Sequence, residues 1–139
     1  MKIKRHKHTK RVLKFYKYNH KIETDTVNIL IDGTFANVAL ASKINLADQM
    51  PNFFDLPKQK CNLFTTKCAL HETEILGKAT YGAMVILKQY RLVECQHKRN
   101  FVSSEKCFKN ILVQNKEANT GLHYFLATQV NEYFRKFKI

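Results

Sequence analysis

The run VNILID, residues Val27 to Asp32, decides the fold. Apart from Asn28 it is apolar up to Ile31, with β-branched Val27, Ile29 and Ile31 on one parity and Leu30 on the other, and it stops at Asp32 and Gly33. Such a run fits a short strand buried on both faces, which is the situation of an inner strand in a helix-covered parallel sheet. Working outward, TFANVALASKI (34–44) reads as a helix with Phe35, Val38, Ala39 and Ser42 inward. DQMPNFFDLPKQ (48–59) holds both prolines and reads as a loop. CNLFTT (61–66) reads as a second strand, ALHETEILGK (69–78) and YGAMVILKQY (81–90) as helices, and RLVE (91–94) as a short extended piece. A helix over SEKCFKNILVQN (104–115), a turn at Gly121, a strand HYFLAT (123–128) and a basic tail NEYFRKFKI (131–139) complete the chain. Strands alternating with helices predict a three-layer α/β/α domain with a mainly parallel central sheet.

At 139 residues the chain has room for one such domain. Its 24 Lys and Arg against 11 Asp and Glu leave a formal charge of +13, an excess that calls for a polyanion, with nucleic acid first among the candidates. The longest apolar run, AMVIL (83–87), is too short to cross a bilayer, which argues against a membrane role. The N-terminus has no apolar signal run, so the four cysteines are expected in a reducing interior, as thiols or metal ligands. The charge is densest in residues 1–22. Residues 1–21 carry nine Lys or Arg and no acid, interleaved with Val12, Leu13, Phe15, Tyr16 and Tyr18. One reading is a solvated helix that rests Leu13 and Tyr16 on the domain, residues 23–139. The other is an RNA-binding arm in which Lys2, Lys4, Arg5, Lys7, Lys10, Arg11, Lys14 and Lys17 neutralise phosphates while Phe15 or Tyr18 stacks on a base.

VECQHKRNFVSSEKC (93–107) places Cys95, His97 and Cys107 close in sequence. Three thiolates and an imidazole close a tetrahedral zinc site, so a fourth ligand is needed. Cys61 opens the second strand, where a lone cysteine behaves as a small hydrophobe. Cys68 lies where that strand hands over to a helix, a rigid junction that a later loop can reach. The candidate set is therefore Cys68, Cys95, His97 and Cys107, against the alternative of four buried thiols. The carboxylates form the second candidate site. Asp32 falls at the carboxyl end of the first strand, where open α/β sheets bind ligands; Glu72 or Glu74 could offer a second set of oxygens for Mg²⁺ or Mn²⁺, and Glu105 a distant third. The last strand ends in ATQVN (127–131), so apolar Val130 stands where another acid is wanted. A metal-dependent nuclease is undersupplied by this set, and a helix cap is an equal reading of Asp32.

Taken together, ILIDGTF, TTKCALHETEILGK, YGAMVI, CQHK, Cys107 and HYFLATQ, with the basic start MKIKRHKHTKRVLKFYKYN, resemble the PIN-domain proteins of the small-subunit processome, specifically the family called U three protein twenty-three. The resemblance spans nearly the whole chain. It implies a PIN-like fold with an embedded Cys, Cys, His, Cys zinc motif (68–107) that falls on Cys68, Cys95, His97 and Cys107. It also implies a factor of early ribosome assembly in the nucleus and nucleolus, in contact with pre-rRNA, an H/ACA small nucleolar RNA and other processome proteins. Active PIN nucleases are similar in fold and hold metal with three or four acids. Asp32 and Glu72 match the first two, Lys106 beside Glu105 replaces one of a pair, and Val130 falls at the last. The resemblance thus implies a vestigial site without hydrolysis. Family members continue past ATQ through another strand and a Lys-rich tail, so a final strand is expected to be missing here.

Overall fold

The computed structural model describes residues 2–22 and 25–129. Its helices are α1 (Lys2–His20), α2 (Gly33–Ala41), α3 (Leu46–Phe54), α4 (Lys67–Ile75), α5 (Tyr81–Leu87) and α6 (Ser104–Glu117). Its strands are β1 (Val27–Ile31), β2 (Cys61–Thr65), β3 (Arg91–Leu92) and β4 (Phe125–Ala127). They form one sheet in the order β3-β2-β1-β4, with every pairing parallel. VNILI is thus an inner strand, and its side chains divide between two apolar layers. Val27, Ile29 and Ile31 pack with Ala36 and Ala39 of α2, Leu46 of α3, and Ala83 and Leu87 of α5. Leu30 faces the other way, onto Cys68 and Ala69 of α4 and Cys107, Phe108 and Ile111 of α6. Each large apolar side chain removed from water here contributes roughly 1.5–3 kcal/mol. The expected α/β/α layering with a parallel sheet is what the chain adopts.

Two local expectations are corrected. DQMPNFFDLPKQ is not a loop over most of its length, because α3 runs through it with Pro51 inside the helix. Caps at both ends offset the hydrogen bond that the proline cannot make. The Asn45 side chain accepts from Ala47 N at 3.1 Å, and Asp55, in the left-handed region, closes the C-terminus while Leu56 N donates to Pro51 O at 2.9 Å. On α2 the fully buried residues are Ala36 and Ala39, whereas Val38 is 44% exposed. Small residues face inward because α2 and α5 lie very close: a Cβ on Gly82 would come within 2.4 Å of Leu40 Cδ2. Val38 instead borders an open groove of about 1100 Å³ between α2 and α3, with Phe35, Met50, Phe53 and Leu56 in its walls and Thr9 of α1 at its rim.

Residues 1–22 were read as an arm, and α1 is one continuous helix over most of them. Thr9 and Leu13 are half-buried, while the other described side chains of α1 are exposed. Lys10 Nζ meets Asp55 at 2.8 Å and Lys17 Nζ meets Asp25 at 3.3 Å. Exposed pairs of this kind contribute under about 1 kcal/mol each, so they orient the helix more than they hold it. The side chains of Lys2, Lys4 and Arg5, the residue Val130 and the tail 131–139 lie outside the described residues. Among the described residues no helix is long and apolar enough to cross a membrane.

Candidate metal centre and the carboxyl edge of the sheet

Strand β2 ends at Thr65, and Thr66 caps α4 by accepting from Ala69 N at 3.2 Å. That turn sets Cys68 in the first turn of α4, wholly buried. Beyond β3 the chain crosses back over this corner, carrying Cys95 and His97, both half-buried. It then enters α6, capped by Ser103, whose Oγ accepts from Lys106 N at 3.3 Å. Cys107 follows in the first turn, also wholly buried. The ligand atoms of Cys68, Cys95, His97 and Cys107 all lie within 4.8 Å of one another. Cys61 sits at the opposite end of β2, packed with the apolar cluster on the other face.

Three observations test whether these residues fit a metal ion. The Cys68 and Cys95 sulfurs are 3.8 Å apart, which equals the ~3.8 Å edge of a tetrahedron with metal–sulfur bonds of ~2.3 Å. His97 Nδ1 is buried and has no hydrogen-bond partner, an exception among buried polar atoms that asks for a ligand. Burial, followed by the neighbouring Cys68, pushes the Cys107 thiol up to about 12, and burial raises Cys68 as well. The two buried sulfurs that resist ionisation on their own, Cys68 and Cys107, become thiolates when a cation takes the protons' place. The residues fit a four-ligand metal site, and among the described residues they form the single such group of three or more His, Cys, Asp or Glu side chains.

Sequence reasoning missed the partners that hold these ligands. The Cys107 thiol lies 3.5 Å from Thr66 Oγ1. The backbone of Val102 hydrogen-bonds the Cys68 sulfur, and this contact works against the burial that raises Cys68. The Asn110 side-chain amide is 3.1 Å from His97 Nε2. Only Asn110 had a readable signal, since it stands three residues after Cys107 on the same helical face.

The acids are arranged differently. Asp32 is wholly buried at the mouth between β1 and β4, where the strand order reverses. Its Oδ1 accepts from Phe35 N at 2.9 Å and from Thr34 Oγ1 at 2.7 Å, while Oδ2 accepts from Thr128 Oγ1. Asp32 is therefore the N-cap of α2 and also a tie to the end of β4. Glu72, one turn after Cys68 on α4, accepts from Ser104 N at 2.9 Å and so holds the start of α6, three residues before Cys107. Glu72 also lines a cavity of about 310 Å³ with Thr34, Asn37, Thr73, Thr80 and Gln129. Glu105, half-buried in the first turn of α6, is not among its walls. Asp32, Glu72 and Glu105 do not gather around one point.

A family model described as Fcf1 matches residues 56–138, more than half of the chain. The chain belongs to the Fcf1 family. The rRNA-processing protein FCF1 of Saccharomyces cerevisiae is 28% identical to it over 104 residues, covering 73% of this chain and 52% of the yeast protein. The Fcf1-family chain described above thus spans about half the length of that curated relative. Among solved structures, that of the PIN domain endonuclease Utp24 matches with a TM-score of 0.66 at 22% identity, over 82% of this chain and 78% of the other. At that identity the likeness speaks for the fold, which is PIN-domain-like. The processome resemblance of the sequence motifs therefore stands at the level of the Fcf1 family.

Proposed function

We propose that this protein is a non-catalytic RNA-binding assembly factor in early small-subunit biogenesis, a member of the U three protein twenty-three branch acting in pre-rRNA processing. The observation that carries the non-catalytic reading is the state of Asp32, whose two carboxylate oxygens face protein donors rather than an open site. A PIN nuclease presents such an oxygen to Mg²⁺ or Mn²⁺, and a buried carboxylate already serving as a cap does not. The alternative, a Mg²⁺- or Mn²⁺-dependent endoribonuclease, draws on Glu72, which reaches an open cavity. Partners in this reading are pre-rRNA, an H/ACA small nucleolar RNA and neighbouring processome proteins, in the nucleus and nucleolus, which is supported by the rRNA-processing relative.

Zinc is the metal that the donor set favours, since soft thiolates with one imidazole suit Zn²⁺ and the closed four-ligand set leaves no position for a substrate. Its role here is to tie α4, the 93–103 crossing and α6 together. RNA contact is assigned to residues 1–22. Lys7, Arg11, Lys14 and Tyr18 fall within about 60° of each other around α1, on the side opposite Thr9 and Leu13. Tyr18 is 77% exposed, which makes it a better stacking surface than Phe15, whose ring lies edge-on to Tyr16 at 5.6 Å. Replacing Lys7, Arg11 and Lys14 together with Gln is expected to lower the salt-dependence slope for single-stranded RNA by about 2, at roughly 0.7 per phosphate contact. An unchanged slope and affinity sink the arm as the RNA contact.

A further inference from the structure

Resting on the metal reading above, we infer that Asn110 is the positioning residue that selects which nitrogen of His97 binds the ion: it holds Nε2 and leaves Nδ1 for the metal. A neutral imidazole has one N–H donor and one lone-pair acceptor, so its two nitrogens need partners of opposite kind. Nε2 lies 3.1 Å from the Asn110 amide, Nδ1 is buried without any protein partner, and the ring offers a nitrogen within 4.8 Å of the sulfurs of Cys68, Cys95 and Cys107, so Nδ1 is the nitrogen left for an ion. If Nε2 accepted from the amide N–H, the ring proton would sit on Nδ1, as a buried donor aimed at the metal position. If Nε2–H instead donates to the amide oxygen, the Nδ1 lone pair points at the ion and both nitrogens are satisfied. Only the second arrangement uses the whole ring.

This assignment turns the Asn110 amide end for end, so that Oδ1 rather than Nδ2 meets Nε2. The two ends of an amide are nearly alike in shape, and the hydrogen-bond network decides between them. It also explains why this role falls to an α6 residue. Asn110 is three positions after Cys107, so one helical face delivers a sulfur ligand and the outer partner of the nitrogen ligand. Thr66 completes the pattern for the sulfur: its oxygen accepts from Ala69 N, which leaves its own proton for the Cys107 thiolate once metal is bound.

The test is nuclear magnetic resonance on the full chain, labelled with ¹⁵N-histidine and loaded with ¹¹³Cd²⁺ as the metal probe. Coupling of cadmium to Nδ1 of His97, with a proton retained on Nε2, is the expected result; coupling to Nε2, or none, overturns the inference. In parallel, chelator competition for Zn²⁺ should show Asn110→Ala weakened by roughly 10- to 100-fold, with Asn110→Asp, which keeps an acceptor, within a few-fold of the parent. Equal affinity for Asn110→Ala also overturns it. A parent protein that takes up no stoichiometric Zn²⁺ or Cd²⁺ removes the metal site and this inference together, whereas cadmium bound through Nε2 leaves the metal site standing and removes only the role of Asn110.

Discussion

Two clusters of polar side chains meet on α4, where Cys68 and Glu72 are one turn apart, and they treat hydrogen bonding in opposite ways. Around Cys68, Cys95, His97 and Cys107, ligand atoms converge on one point and a buried ring nitrogen faces no protein donor or acceptor. Around Asp32 and Glu72, carboxylate oxygens are met by backbone N–H and hydroxyl groups at helix starts. Residue type suggests metal in both places. What separates them is satisfaction: the carboxylates already meet protein donors, whereas the sulfur and imidazole cluster keeps a buried ring nitrogen with no protein partner.

The largest effect that this contrast predicts comes from removing metal. Chelation, or Cys68→Ser with Cys107→Ser, should eliminate stoichiometric zinc and lower stability on the order of 4 kcal/mol where free zinc is held ~1,000-fold above Kd. Metal analysis with urea unfolding reads both, and unchanged stability on chelation would erase the distinction between the clusters. Next comes Asp32. Asp32→Ala removes a cap and the acceptor for the Thr34 and Thr128 hydroxyls, for a loss of about 2–3 kcal/mol, while Asp32→Asn, which keeps one acceptor, should lose about 1. If Asp32→Asn left urea unfolding untouched but abolished a manganese-dependent cleavage of single-stranded RNA, the acid would be catalytic and the comparison would fail.

A smaller effect separates the two states of the metal centre by pH. In the metal-free protein, burial and the neighbouring Cys68 hold the Cys107 thiol at about 12 against an ordinary 9.0. Its folded value lies above its unfolded one, so this contribution to stability is complete below about pH 9 and is lost as pH rises toward about 12. In the zinc-loaded protein the sulfur is already a thiolate, so that loss is absent. Burial also raises Tyr90 to about 12, but in both forms, so the difference between urea midpoints of loaded and metal-free protein at about pH 8 and pH 10.5 reads the raised ligand sulfurs Cys107 and Cys68 together. Parallel declines would detach Cys107 and Cys68 from the metal.

Much of this arrangement was legible before any coordinates. VNILID dictated an inner parallel strand because an apolar run without alternation has no face for water, and β1 is buried accordingly. Cys68, rather than Cys61, could be placed with Cys95, His97 and Cys107 because a strand-to-helix junction lies at one edge of a parallel sheet, and the structure brings those four together. The α3 helix was hidden because Pro51 within it and Pro57 just beyond it read as breakers, while the Asn45 and Asp55 caps that let it form depend on backbone geometry. The inward face of α2 was legible in part: Phe35 and Ala39 pack on the core as their spacing suggests, whereas close helix packing buries small Ala36 and leaves Val38 exposed. The partners of Asp32 were unreadable for another reason: Thr128 is 96 residues away, and only the β1–β4 pairing delivers it.

The smallest predicted effect is the most discriminating. Glu72 belongs to both regions, since it lines the cavity at the carboxyl edge and also holds Ser104 N at the start of the helix that carries Cys107. If its work is to hold α6 against α4, then Glu72→Gln, which keeps a carbonyl acceptor for that N–H, should cost under about 1 kcal/mol and leave zinc affinity within a few-fold. Glu72→Ala leaves the N–H without that acceptor, and should cost about 1–2 kcal/mol and weaken zinc binding through the displaced helix start. A metal-binding carboxylate would behave otherwise, because a neutral amide is a poor ligand for Mg²⁺ or Mn²⁺ and Gln would then be as damaging as Ala. Chelator competition and urea unfolding on the two variants therefore divide the roles: a gap between Gln and Ala assigns Glu72 to the zinc-bound helix pair, and equal losses in manganese-dependent cleavage return it to the carboxyl edge.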